Sequence, residues 1–149
     1  TNLVDKLREL AFVEVREHLY RPNELFDPSN RLLWRIFSSE PLFPQGDMTS
    51  DEWLSILRQL GLKTFIDAEL FLICARKVTS RFATSTADDQ EKNFCVETSE
   101  MLMRHLVNNF SSLQNSAFCT ELGSIPFVPA LLPPVLVNNK HWTHEVQLC

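Results

Sequence analysis

The chain has 149 residues, 44% of them hydrophobic and 22% charged, with a formal net charge of -5. That length suits one domain able to bury about two-thirds of the surface its unfolded chain exposes. The acidic balance argues against nucleic acid as a partner, because phosphate neutralisation needs clustered Lys and Arg, and no apolar run approaches the roughly 20 residues of a membrane span.

Leu3, Val4, Leu7, Leu10 and Ala11 recur at helical spacing, whereas Phe12-Val13-Glu14-Val15-Arg16 alternates and favours a strand. The residue before a proline is pushed out of the helical region. Arg21-Pro22 and Asp27-Pro28 therefore read as extended segments ending in turns, with apolar Leu25-Phe26 between them. Asp27 is placed to cap the segment after it, with Pro28 at the first helical position. A helix is expected through Arg31 to Phe37, with Leu33, Ile36 and Phe37 on one face, and then a loop from Ser38 to Gly46.

The clearest helix follows. Thr49 or Ser50 caps it, Asp51 and Glu52 suit its positive start, and Trp53, Ile56, Leu57 and Leu60 form its buried stripe. Gly61 ends it in a left-handed conformation. Asp67 caps a second helix, Ala68 to about Phe82, whose Leu70 to Ala75 run is apolar nearly all round and hence central. The polar stretch Ala83 to Asn93 reads as mobile at its start. A third helix, roughly Asp89 to Phe110, carries Phe94, Met101, Leu102, His105, Leu106 and Phe110 on one side. A helical turn spans Phe118 to Leu122. Ile125 to Ala130 then reads as an edge strand, because its prolines cannot donate to a ladder. The fold class expected is α+β, mainly α-helical with a few short strands near the N-terminus and C-terminus. The expected organisation is a single domain over residues 1–149, with its core at about 10–130 and a tail at 131–149.

Leu7-x-x-Leu10-x-Phe12-Val13 matches Leu122-x-x-Ile125-x-Phe127-Val128, each a short turn feeding a strand. With its abrupt ends, the chain reads as one period cut from a tandem array.

No residue pattern names a reaction. His141, His144, Glu145 and Cys149 offer metal-binding side chains without the paired spacing of a structural zinc site, so no metal is expected. His105 sits on an apolar helix face with no identifiable partner for acid–base work. Cys74 and Cys95 lack the basic surroundings of a nucleophilic thiolate, and the cysteines read as reduced thiols of a cytosolic protein, with Cys74 in the core. Asp88, Asp89 and Glu91 read as stabilisers of a helix start. Asn109-Phe110-Ser111 is a glycosylation sequon in form only. Neither catalytic nor cofactor-binding residues are expected. Trp34 lies off the Leu33/Ile36/Phe37 face and is the best candidate for an exposed contact. Arg21 is expected to pair with Asp27 or Glu24 and fix the joint between the two proline turns.

The order Tyr20-Arg21-Pro22-Asn23-Glu24-Leu25-Phe26-Asp27-Pro28, then Leu32 to Phe37, Phe43-Pro44, and Leu57-Arg58-Gln59-Leu60-Gly61-Leu62-Lys63-Thr64 resembles the repeating segments of the sacsin family, very large cytosolic proteins of chaperone type. The resemblance covers residues 7 to 82, and residues 117 to 130 more loosely. It implies a chaperone or co-chaperone scaffold, with contacts to other modules of the same chain, to Hsp70-system chaperones, to client proteins or to intermediate filaments. An Hsp90-like nucleotide-binding module opens each large repeat of that family. With 3 Gly and no G-x-x-G pattern, this chain lacks such a module's motifs, and the ATP site is not carried over. The residues expected to build the joint or to make contacts are Arg21, Pro22, Glu24, Phe26, Asp27, Pro28, Trp34, Arg58 and Gly61. The alternatives are a small nucleotide-dependent or hydrolytic enzyme domain and an unrelated helical adaptor.

Overall fold

A computed structural model describes residues 2–85, 88–131, 135–137, 141–143 and 146–148. The chain is mainly helical with short antiparallel strand pairs, and it forms two compact units, Thr1–Ile66 and Asp67–Cys149.

The first unit opens with α1 (Leu3–Arg8), capped by the Asn2 side chain and holding no buried residue. Strand β1 (Val13–Val15) then pairs with β2 (His18–Tyr20), Val13 opposite Tyr20 and Val15 opposite His18. The alternation of Val13 and Val15, both fully buried, is the pattern that signalled the strand. Its partner was not signalled. The two residues joining them, Arg16 (φ 49°) and Glu17 (φ 68°), are both left-handed. That conformation usually announces itself as Asn-Gly, and here ordinary residues are held in it. The Arg16 guanidinium donates to the Ser39 carbonyl at 2.9 Å, which ties the turn to the rest of the unit.

Helix α2 (Arg31–Phe37) buries Leu32, Leu33, Ile36 and Phe37. Its cap is Asn30, whose side chain accepts from the Leu33 N–H at 3.1 Å. Asp27 is not the cap and Pro28 is not in the helix: Asp27 closes a turn by accepting from the Ser29 N–H at 2.9 Å. Helix α3 (Asp51–Gln59) is capped by Ser50. Its buried side chains are Leu54 and Leu57, followed by Leu60, while Trp53 and Ile56 lie largely outside. Leu57 and Leu60 of the expected stripe are buried, and Leu54 takes the place expected of Trp53 and Ile56. Val13, Val15, Leu25, Leu54, Leu57 and Leu62 make the core of this unit.

The second unit is organised by α4 (Ala68–Thr84) and α5 (Asp89–Leu113), a packed helical pair. Asp67 caps α4 through the Leu70 N–H, and Asp88 caps α5 through the N–H groups of Gln90 and Glu91. Helix α4 runs past its expected end at Phe82 to Thr84, α5 begins at Asp89 as expected, and Thr86 and Ala87 of the stretch expected to be mobile lie outside the described residues. Arg81 fastens the adjoining ends of the two helices by an ion pair with Glu91 at 2.7 Å, its guanidinium stacked 4.6 Å from the Phe94 ring centroid. The buried side of α5 runs through Cys95, Thr98, Ser99, Leu102 and Leu113, so Phe110 falls outside it.

Helix α6 (Ser116–Leu122), capped by Asn115, brings Phe118 onto α4. The Ile125 to Val128 stretch lies outside any ladder, and the Phe127 N–H turns back to the Ile125 carbonyl at 2.9 Å. Ile125 and Phe127 turn inward instead, and pairing begins only at β3 (Pro129–Leu131), antiparallel to β6 (Val146–Leu148). Strands β4 (Val135–Val137) and β5 (His141–Thr143) form a further antiparallel pair. The hub of this unit is Phe71, fully buried, edge-to-face with Phe118 and Phe127 at 5.8 Å each and stacked on His105 at 6.0 Å. Truncating such a ring removes transfer energy and leaves a cavity. We predict that Phe71→Ala lowers the stability of the second unit by about 3–5 kcal/mol, read as a shifted midpoint in urea.

Candidate functional site

The stretch Arg21 to Asn30 begins with Pro22–Glu24, a single 3-10 turn. Arg21 precedes it in extended conformation, as the following proline requires. The Glu24 carboxylate reaches back and accepts from the Arg21 backbone N–H at 2.7 Å. Pro22 is buried, and Leu25 and Phe26 beyond it are buried too. The Phe26 ring packs on Phe37 and Phe43 at centroid distances of 5.2 and 5.8 Å, and the Lys63 ammonium lies 5.5 Å from its centroid.

What holds this stretch is the segment that follows α3. The Phe26 N–H donates to Leu42 O at 2.7 Å, Asp27 N–H to Lys63 O at 2.9 Å, and Lys63 N–H to Leu25 O at 3.1 Å, so that Phe26 and Lys63 form a parallel bridge. The Asn30 amide donates to Thr64 O at 3.2 Å. Within that lattice the Asp27 carboxylate, almost wholly buried, receives Arg58 Nε at 2.6 Å and Arg58 Nη2 at 3.3 Å; Nη2 also reaches the Ser29 hydroxyl at 3.0 Å. The charge that fixes the joint is therefore Arg58, and Arg21 contributes its backbone rather than its guanidinium. The guanidinium fork suits a carboxylate with two parallel N–H donors.

Burial alone would raise the Asp27 pKa. The hydrogen bonds from Arg58 and from the Ser29 backbone and hydroxyl outweigh it and hold the carboxyl below its ordinary 3.8. The same hydrogen bond raises the Arg58 pKa further. Gly61 completes the joint. It has φ +109°, and a Cβ there would lie 3.3 Å from Asn23 Cβ, so both the conformation and the close approach of the first motif demand glycine. Trp34 stands with its ring edge-on to Phe43 at 4.9 Å and 48% of its surface exposed.

The two motifs that carry the sequence resemblance thus fold against each other, and Arg21, Pro22, Glu24, Phe26, Asp27, Pro28, Arg58 and Gly61 lie along one continuous joint. Asn30, Ser29 and the Lys63 backbone were not singled out from the sequence. Asn30 had a legible signal, a capping residue just before an apolar run. The backbone bridge had none.

Outside the joint, Cys74 and Cys95 are buried free thiols, and burial pushes Cys74 up to about 12. Cys119 is exposed. The Asn109 amide donates to His105 O within α5, so the sequon is helical. Among the described residues no three His, Cys, Asp or Glu are gathered to hold a metal ion. The His144, Glu145 and Cys149 positions, and the side chain of His141, lie outside the described residues. No described helix is long and apolar enough to cross a membrane.

The chain is 29% identical over 155 residues to human sacsin, a similarity that takes in 99% of this chain. It spans about 3% of the length of that relative. No family profile matches it, and no solved structure matches it.

Two measurements probe the joint. Asp27 has a depressed pKa, so its contribution to stability is complete above the unfolded-state value near 3.8 and is lost as pH falls through the lower folded-state value. Below pH ~4 the wild type should lose stability more steeply than Asp27→Asn. At neutral pH Asp27→Asn and Arg58→Ala should each cost about 1–3 kcal/mol, less than for a fully enclosed pair because Arg58 is partly open to water. Their effects should be strongly non-additive in a double-mutant cycle. Gly61→Ala should cost about 1–3 kcal/mol by chemical denaturation, through strain.

Proposed function

We propose that this chain is a non-catalytic segment of a sacsin-like cytosolic chaperone or co-chaperone scaffold. It makes inter-module and protein–protein contacts in protein folding and quality control. The observation that carries this is the joint: the "RPNELFDP" and "LRQLGLKT" stretches that resemble sacsin repeats are also the stretches that hydrogen-bond to each other. The similarity to human sacsin over 99% of the chain supports the same assignment.

The chemistry of the site points to holding rather than turnover. Both oxygens of Asp27 are occupied by donors, and its lowered pKa makes it a poor proton acceptor near neutrality. The guanidinium of Arg58 is spent on the same pair. Trp34 is the side chain of the joint region best placed to meet a partner, since exposed aromatic rings contribute large contact area at small entropic cost. The partners we assign are other modules of the same chain, together with Hsp70-system chaperones, client proteins or intermediate filaments.

Light scattering from a heat-unfolding client enzyme tests this directly. Increasing amounts of the chain should slow client aggregation, an inert protein at equal mass should not, and Trp34→Ala should weaken the effect several-fold. Titration with ATP in a calorimeter should give no saturable heat. Client aggregation unaffected by the chain, or saturable ATP binding, would overturn the assignment.

A further inference from the structure

Two exposed tryptophans of the first unit stand among charges of opposite sign. Residues 28–39 carry Arg31 and Arg35 and no acidic residue, whereas residues 46–57 carry Asp47, Asp51 and Glu52 and no Lys or Arg. Each stretch presents one tryptophan outward, Trp34 on α2 at 48% exposure and Trp53 on α3 at 37%.

On α2, Arg31 precedes Trp34 by three positions, so the two side chains share a face. Behind Trp34 a file of rings runs through Phe43 to Phe26, against which the Lys63 ammonium lies at 5.5 Å. The Asn30 amide, donating to Thr64 O, holds the Lys63 segment beside the start of α2. Arg35 already holds a contact of its own, so the charge of this face rests on Arg31 and Lys63. On α3, Trp53 shares its face with Ile56, 45% exposed. Asp47, Thr49, Glu52 and Trp53 line one shallow hollow. Asp51 lies in the field of Arg58, which leaves Asp47 and Glu52 as the acidic rim. Among the described residues none of Arg31, Lys63, Asp47 and Glu52 makes an ion pair.

We infer that the α2 face and the α3 face are the two halves of one docking surface, and that its occupant is a second copy of this chain. Arg31 and Trp34 of one copy meet the acidic hollow and Trp53 of the next. An indole among carboxylates suits a guanidinium both by charge and by the ring face it offers. Trp34 and Ile56 leave water together, and that burial supplies the affinity. The exposed ion pairs add little to it and set the partner and the register. Nucleic acid and anionic membranes are also negative, but two cations on a chain of net charge -5 fall short of what such polyanions need. Because every copy carries both faces, association either closes as a pair through two such contacts or continues head to tail. This deepens the scaffold assignment and rests on its inter-module part.

Sedimentation of the wild type at rising concentration should show self-association that high salt weakens. Arg31→Glu with Lys63→Glu makes both faces acidic, and Asp47→Lys with Glu52→Lys makes both basic. Each of these chains alone should lose self-association by about tenfold or more, whereas an equimolar mixture of the two should associate. Lys6→Glu, at an exposed cation of α1, should change nothing. If circular dichroism shows a reversed chain unfolded, Arg31→Gln and Asp47→Asn replace it, and each should weaken association. A wild type that stays monomeric, folded reversed chains that fail to associate when mixed, or association indifferent to the neutral variants overturns the inference. A monomeric chain that still slows client aggregation overturns this inference and leaves the scaffold assignment standing. A chain that associates as described without that effect upholds the inference and removes the chaperone role.

Discussion

A carboxylate leaves water at a cost of several kcal/mol unless donors are waiting for it, and Asp27 is removed from water almost completely. Its donors arrive from two directions, the Ser29 N–H two residues on and the Arg58 fork thirty-one residues on. The second can reach it only if the end of α3 lies beside the proline-rich stretch. That placement needs Gly61 at φ +109° and the bridge between Phe26 and Lys63. Removing the ion pair therefore loosens more than two side chains. The ion pair supports the same register in which Leu25, Leu57 and Leu62 enter one core and the Phe26 ring meets Phe37 and Phe43.

Among its described residues the second unit is centred on aromatic rings rather than on a buried ion pair. Phe71 gathers Phe118 and Phe127 edge-to-face and His105 face-to-face, arrangements that ring quadrupoles favour beyond area burial. Ion pairs lie toward the surface, Arg76 with Glu121 between α4 and α6, and Arg81 with Glu91 at the hairpin end. Exposed pairs of this kind contribute little to stability and act more as guides to pairing. The α4–α5 hairpin thus holds α6 and the Phe127 segment chiefly by shape and aromatic contact.

Much of the local structure was written in short-range chemistry. Ser50, Asp67 and Asp88 cap helices because a side-chain oxygen can satisfy an amide that the first turn leaves unpaired. Val13 and Val15 mark a strand by period-two burial. Where the sequence misled, the cause was phase or competition. Trp53 and Ile56 shared a helical spacing with Leu57 and Leu60, yet the buried face joins Leu57 and Leu60 to Leu54 and leaves Trp53 and Ile56 largely outside. Asp27 had the form of a cap, but Arg58 and Ser29 competed for it and Asn30 took the role.

By itself, the sequence determined the class of fold, most of the helices with the caps at Ser50 and Asp67, and the resemblance residing in residues 20–28 and 57–64, because each of these depends on groups within a few positions of one another or on a recognisable order of residues. Tertiary structure alone decided that those two stretches meet, that Arg58 rather than Arg21 carries the charge for Asp27, that Arg16 and Glu17 turn a hairpin without glycine, and that Phe118 and Phe127 both close on Phe71. Each of these depends on which distant groups exclude water together, and a linear order of residues does not encode that distance.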